Sequence, residues 1–79
     1  MVIELRSPSD SLAPIEAKMR EYVENGAQLG WLIDPEDHKV HVYRPKDQVE
    51  TADRPGKVSG DTILPGFVLD LEPIWEPDF

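Results

Sequence analysis

Val2-Ile3-Glu4-Leu5-Arg6-Ser7-Pro8-Ser9-Asp10-Ser11 opens the chain and sets its architecture. Val2 to Arg6 alternates as a short strand, with Ile3 and Leu5 on one face and Val2, Glu4 and Arg6 on the other. Ser7-Pro8-Ser9-Asp10 is turn chemistry. Ser11 stands where a helix N-cap is needed, and Pro14 is tolerated in the first turn that follows. The strand carries one embedded carboxylate, Glu4, at a place suited to holding a divalent cation beside a phosphate.

From Leu12 to about Asn25 the apolar residues Leu12, Ile15, Met19, Tyr22 and Val23 fall three and four apart, which is one helical stripe. Glu16 and Arg20 form an exposed pair on the rest of the surface. Gly26 is placed to end the helix in a left-handed conformation. Leu29 to Asp34 reads as a second strand, with Leu29, Trp31 and Ile33 on one face. Asp34-Pro35-Glu36-Asp37 fits a type I turn, and Lys39 to Arg44 returns as a third strand to make a hairpin. A further short strand is expected within Gln48 to Asp53, and Val58 to Asp61 reads as loop. Ile63-Leu64-Pro65-Gly66-Phe67 is an apolar bend, Phe67 to Leu71 a final strand and Pro73-Ile74-Trp75 one helical turn. The class is α+β: a small mixed sheet with a β-hairpin, packed on one main helix.

Seventy-nine residues allow one small domain. A chain of this size buries only about 60% of its unfolded surface. It has no cysteine to form a disulfide or a thiolate metal site. His38 and His41 lack partners for a zinc cage. Association with a second copy is the remaining way to support so small a core, so a homo-oligomer is expected. The net charge of -8 repels nucleic acid at long range and argues against a clamp held by phosphate contacts. It leaves room for local contact through a metal ion. No apolar run approaches the roughly 20 residues that span a bilayer, and no basic-then-apolar leader is present, so no membrane partner is expected and the cytoplasm is the expected compartment.

The order of the pieces is familiar: Val2-Ile3-Glu4-Leu5 with Ser7-Pro8-Ser9-Asp10, then Lys18 and Tyr22 on the helix, then Asn25-Gly26-Ala27. Gly30-Trp31-Leu32-Ile33-Asp34-Pro35, Val40-His41-Val42-Tyr43-Arg44-Pro45, Gly60-Asp61 and Leu64-Pro65-Gly66-Phe67 follow. Over nearly its whole length the chain resembles the C-terminal half of the Uma2 family, also called DUF820, which is abundant in cyanobacteria and classed as restriction-endonuclease-like. The resemblance implies the C-terminal part of a PD-(D/E)XK nuclease-like core, with residues 1–79 as a single partial domain. It implies phosphodiester hydrolysis of DNA with Mg²⁺ or Mn²⁺. The metal would polarise the phosphate and lower the pKa of a bound water.

Carried over residue by residue, Glu4 matches the metal-binding glutamate and Lys18 the helix lysine that positions or deprotonates the water. The backbone carbonyl of Leu5 is a further candidate ligand. Arg6 stands where a strand lysine is usual, and arginine binds phosphate but stays protonated. Members carry a further segment before this strand, including a Pro-Asp step that supplies a second acid. Its partner aspartate is not in this sequence, so the chain is expected to be truncated and inactive alone, with activity restored by a missing segment or a second chain.

Each residue also has a plainer reading. Glu4 reads equally as a solvent-facing sheet residue with Arg6 as its ion-pair partner. Lys18 reads as a boundary lysine that lays its stem on Tyr22, and Tyr22 as core. His38 and His41 read as turn and surface residues, and Asp34, Glu36 and Asp37 as turn acids. The matching alternative for the whole chain is a non-catalytic dimerising or protein-binding α+β module, with the exposed first strand as its interface.

Overall fold

The opening strand and helix form as the pattern predicts. In the computed structural model, which describes residues 1–60 and 62–76, β1 is Val2–Leu5 and α1 is Leu12–Glu24. The turn between them closes on itself: Asp10 N–H donates to the Ser7 carbonyl at 3.0 Å and Ser7 N–H to the Asp10 carboxylate at 3.1 Å. Donation from the Ser7 N–H, and after it from the Ser7 hydroxyl, holds the Asp10 carboxyl below the ordinary carboxylate range. Ser11 occupies the N-cap position in extended backbone, but its hydroxyl caps nothing, contrary to expectation. The helix ends in a Schellman pair, Ala27 N–H to Tyr22 carbonyl and Gly26 N–H to Val23 carbonyl, with Gly26 at φ +110°.

The chain then enters β2 (Gly30–Asp34), turns, and returns as β3 (Lys39–Tyr43) and β4 (Glu50–Asp53). The turn is set by Asp34, whose carboxylate accepts the N–H groups of Glu36 at 3.0 Å and Asp37 at 3.3 Å. The sheet order is β1-β2-β3-β4, with β1 parallel to β2 and the other pairs antiparallel. The parallel step requires a crossover, which α1 supplies.

Every residue of β2 is buried because both faces of the sheet are covered. On one face α1 lays Met19 on Leu32 and Tyr43, with Leu12, Ile15, Tyr22 and Val23 around them. Gly30 admits the helix: a Cβ there would stand 2.8 Å from the Met19 methyl. On the other face Leu29, Trp31, Ile33 and Val40 pack with Leu71 and Trp75.

That second cover is a short ribbon of β5 (Lys57–Ser59) and β6 (Val68–Asp70), followed by α2 (Glu72–Trp75). The expected loop from Val58 is thus corrected: Val58 and Ser59 lie in a strand paired with Leu69 and Val68. Three-residue strands are too short for alternation to show. Asp61 and the end of the chain after Glu76 lie outside the described residues. The ribbon is anchored by Trp75, whose indole N–H donates to the Pro55 carbonyl at 2.7 Å, and by Phe67, stacked on Trp31 with centroids 5.9 Å apart.

Candidate active site

Alternation along β1 sends Glu4 to the face that α1 covers, in register with Leu32. Lys18 and Tyr22 stand one helical turn apart on α1 and both reach it. Lys18 Nζ lies 3.1 Å from Glu4 Oε1, and the Tyr22 hydroxyl donates to the same oxygen at 3.1 Å. The Lys18 ammonium also lies 5.9 Å from the Tyr22 ring centre, so it sits between the ring and Glu4. Hydrogen bonding to Glu4, reinforced by its charge, holds the Lys18 amine above the ordinary lysine range. At neutral pH this amine is an ammonium and a donor.

Arg6 does not pair with Glu4. Its Nη1 donates to Asp34 Oδ2 at 2.9 Å, its Nε donates to the Asp10 carbonyl at 3.2 Å, and Asp37 lies 3.7 Å away. The parallel register explains the correction, because Arg6 follows Leu5, opposite Ile33, and so comes level with Asp34. Asp34 is fully buried, and the expected turn acid is also the counter-ion that fixes the exit of β1. Glu4 is left to the helix side chains Lys18 and Tyr22.

His41 is corrected as well. It is buried, with Nδ1 3.1 Å from Thr51 Oγ1, and Nε2 has no hydrogen-bond partner among the described residues. It shares the sheet row of Glu4 and Leu32. Two strand spacings, about 9.6 Å, separate it from Glu4, so it does not join the site. His38 lies edge-on to Trp75 in the opposite layer. A groove of about 390 Å³ beside the far end of α1, lined in part by Arg20, Tyr43, Arg44 and Lys46, contains none of Glu4, Lys18 and Tyr22.

The site offers few donors to a divalent cation. Glu4 Oε1 is engaged by two donors, which leaves Oε2. Ladder bonds from Val2 and Arg6 N–H to β2 place the N–H and C=O groups of Ile3 and Leu5 on the other edge of β1, so the Leu5 carbonyl is directed away from the sheet. Among the described residues no three His, Cys, Asp or Glu side chains gather into a metal-binding group. A hard cation takes about six oxygens, so this donor set alone does not fit one.

The fold matches that of known proteins. The family model of Uma2, described as "putative restriction endonuclease", matches residues 1–72. The chain belongs to the Uma2 family. A crystal structure from Anabaena variabilis ATCC 29413, described as "a putative nuclease belonging to DUF820", superimposes with a TM-score of 0.78 at 31% identity. The match covers 92% of this chain and 41% of that one, so the chain spans under half the length of its structural relative. No curated protein matches the chain.

Seen as a Uma2 chain, the α+β class and the mixed sheet on one main helix are as the sequence predicts. Two residues near the site escape sequence reading. Tyr22 reads as core because it lies on the apolar stripe, and only its spacing of four from Lys18 could have flagged it. Asp34 reads as a turn acid because its partner is 28 residues away.

Proposed function

We propose that this chain supplies part of a Uma2 phosphodiester-cleaving site acting on DNA in the cytoplasm, with residues 1–79 forming a part of one domain. The observation that carries the reading is the 3.1 Å approach of Lys18 on α1 to Glu4 on β1. It joins the strand acid and the helix lysine that family resemblance pairs. Glu4, through Oε2, and the Leu5 carbonyl are the groups that would hold Mg²⁺ or Mn²⁺, together with donors from water, phosphate and a second acid. When so bound, the cation supplies Lewis-acid chemistry to the phosphate. Tyr22 and Lys18 orient the Glu4 carboxylate. The Lys18 ammonium positions water or phosphate oxygen by donation.

Mn²⁺ titration followed by thermal melting tests the reading. Wild type is expected to gain more in melting temperature than Glu4→Gln, because binding to the folded state alone stabilises it. Equal gains in the two proteins would remove Glu4 from the ligand set.

One observation favours the second reading, a non-catalytic dimerising or protein-binding module. Ile3 and Leu5 are 46% and 59% exposed on the open edge of the sheet. If that reading holds, Glu4→Gln leaves association and every cation response unchanged.

A further inference from the structure

α1 has two flanks. Lys18 and Tyr22 reach toward β1, and Arg20 lies about 200° around the helix from Lys18. With Val23 and Glu24 it forms one wall of the groove of about 390 Å³ at the far end of α1. The turn after β3 and the chain leading to β4 form the other wall. The volume lies within the range of about 300–1,000 Å³ usual for small-molecule sites. Its apolar lining is Val23, Tyr43 and Val49. Tyr43 and Val23 belong to the core cluster under α1, so this part of the surface is firm.

Cations of this acidic chain gather here. Three of its eight basic residues, Arg20, Arg44 and Lys46, line the groove. Arg44 is fixed by Glu50, 3.2 Å from its Nη1. Arg20 and Lys46 have no acid in ion-pair contact among the described residues, whereas Arg6, Lys18 and Arg54 each have one. Lys46 is also held against its backbone preference. Arg44-Pro45-Lys46-Asp47 is a turn closed by the Asp47 N–H on the Arg44 carbonyl at 3.3 Å, and Lys46 takes φ +65° at its third position. Glycine is favoured at that φ, and a charged side chain kept there marks a place where strain is tolerated for use.

Two acids, Glu24 and Asp47, line the groove as well, so it does not suit a bare anion. The mixture suits a ligand with an anion at one end, hydrogen-bond donors at the other and a flat apolar body between. We propose that the groove binds a single nucleotide whose base carries an exocyclic amino group. The phosphate is held by Arg20 and Lys46. The base lies against Val23, Val49 and Tyr43, and its amino group donates to Glu24 or Asp47, as a carboxylate accepts from the cytosine amino group. The net charge of -8 does not forbid this, because repulsion from distant acids is screened beyond about 8 Å at physiological salt, whereas the groove cations touch the ligand. The inference stands apart from the reading of Glu4, which faces the other flank of α1.

The experiment is calorimetric titration of the full chain with cytidine 5′-monophosphate (CMP), expected to fill one site per chain with a Kd of roughly 10–500 μM. Uridine 5′-monophosphate carries a keto oxygen in place of the amino group and is expected to bind at least about threefold more weakly. Cytidine and inorganic phosphate each keep part of the contacts and should each lose about tenfold or more. Arg20→Gln and Lys46→Gly are each expected to weaken CMP about fivefold or more. Glycine suits the turn, so Lys46→Gly removes the charge and keeps the backbone. Lys57→Gln, the same loss of charge in the opposite layer, should bind CMP as wild type does. A 5′-phosphorylated oligocytidylate that binds more tightly than CMP assigns the groove to the end of a strand, and one that binds more weakly assigns it to free nucleotides. Inorganic phosphate or the uridine nucleotide binding as tightly as CMP overturns the proposal. So does an affinity untouched by Arg20→Gln and Lys46→Gly, an equal loss in Lys57→Gln, or no CMP binding up to about 5 mM. None of these results bears on Glu4, whose Mn²⁺ response is read separately.

Discussion

Glu4 Oε1 accepts from two donors that differ in kind, and their removal should read out differently. Tyr22→Phe deletes one partly buried hydrogen bond and is expected to cost about 0.5–1.5 kcal/mol in urea unfolding. Lys18 is solvent-facing, and its contribution is one of linkage. Its folded-state pKa lies above the ordinary lysine value, so the stabilisation is whole below that value and disappears as pH climbs through the raised one. The melting curves of wild type and Lys18→Gln should therefore differ at neutral pH and converge in strong alkali. A gap that persisted there would show that the ion pair is not its source. Asp34 is the residue with most at stake. Asp34→Ala strands the mostly buried Arg6 and frees two turn N–H groups, and about 3–5 kcal/mol of stability should go with it.

At the scale of elements, Gly30 and Gly60 make a controlled comparison. A Cβ at either would stand 2.8 Å from its nearest neighbour. At Gly30 that neighbour is the terminal methyl of Met19, which can rotate away; at Gly60 it includes the carbonyl oxygen of Leu64, held by the bend whose N–H groups bond back to Gly60. Gly60→Ala should cost more than Gly30→Ala, by roughly 1–2 kcal/mol, in paired denaturant titrations. The same contrast between local and distant constraints explains what the sequence revealed. β1, α1, the β2–β3 hairpin and α2 rest on alternation, helical spacing and turn residues within a dozen positions, and they could be read. Of the β5–β6 ribbon, β6 falls within the strand read over Phe67 to Leu71, whereas nothing local marks the three residues of β5. Glu4 and Lys18 were legible as a pair through family resemblance. The diversion of Arg6 to Asp34 depends on parallel register, which no local pattern encodes.

Across the whole molecule, sixteen acidic residues face eight basic ones. Their mutual repulsion is long-ranged and screened by salt, whereas the Arg6–Asp34 pair is sheltered. Thermal stability should accordingly rise between roughly 10 and 300 mM NaCl, while the deficit of Asp34→Ala relative to wild type stays nearly constant. Calorimetry of the two proteins at both salts checks this, and a deficit that shrank with salt would place Asp34 among the surface charges.

β2 is covered on both faces, and its two flanking strands reach it from opposite directions along the chain. No part of the protein can open there without loosening α1, the ribbon or a neighbouring strand. The amides of Trp31, Leu32 and Ile33 should be the last to take up deuterium, at a rate set by global unfolding, while β4 and β6 exchange through smaller local openings. The middle of this short polypeptide is its keystone, and the strands at its margins open before it does.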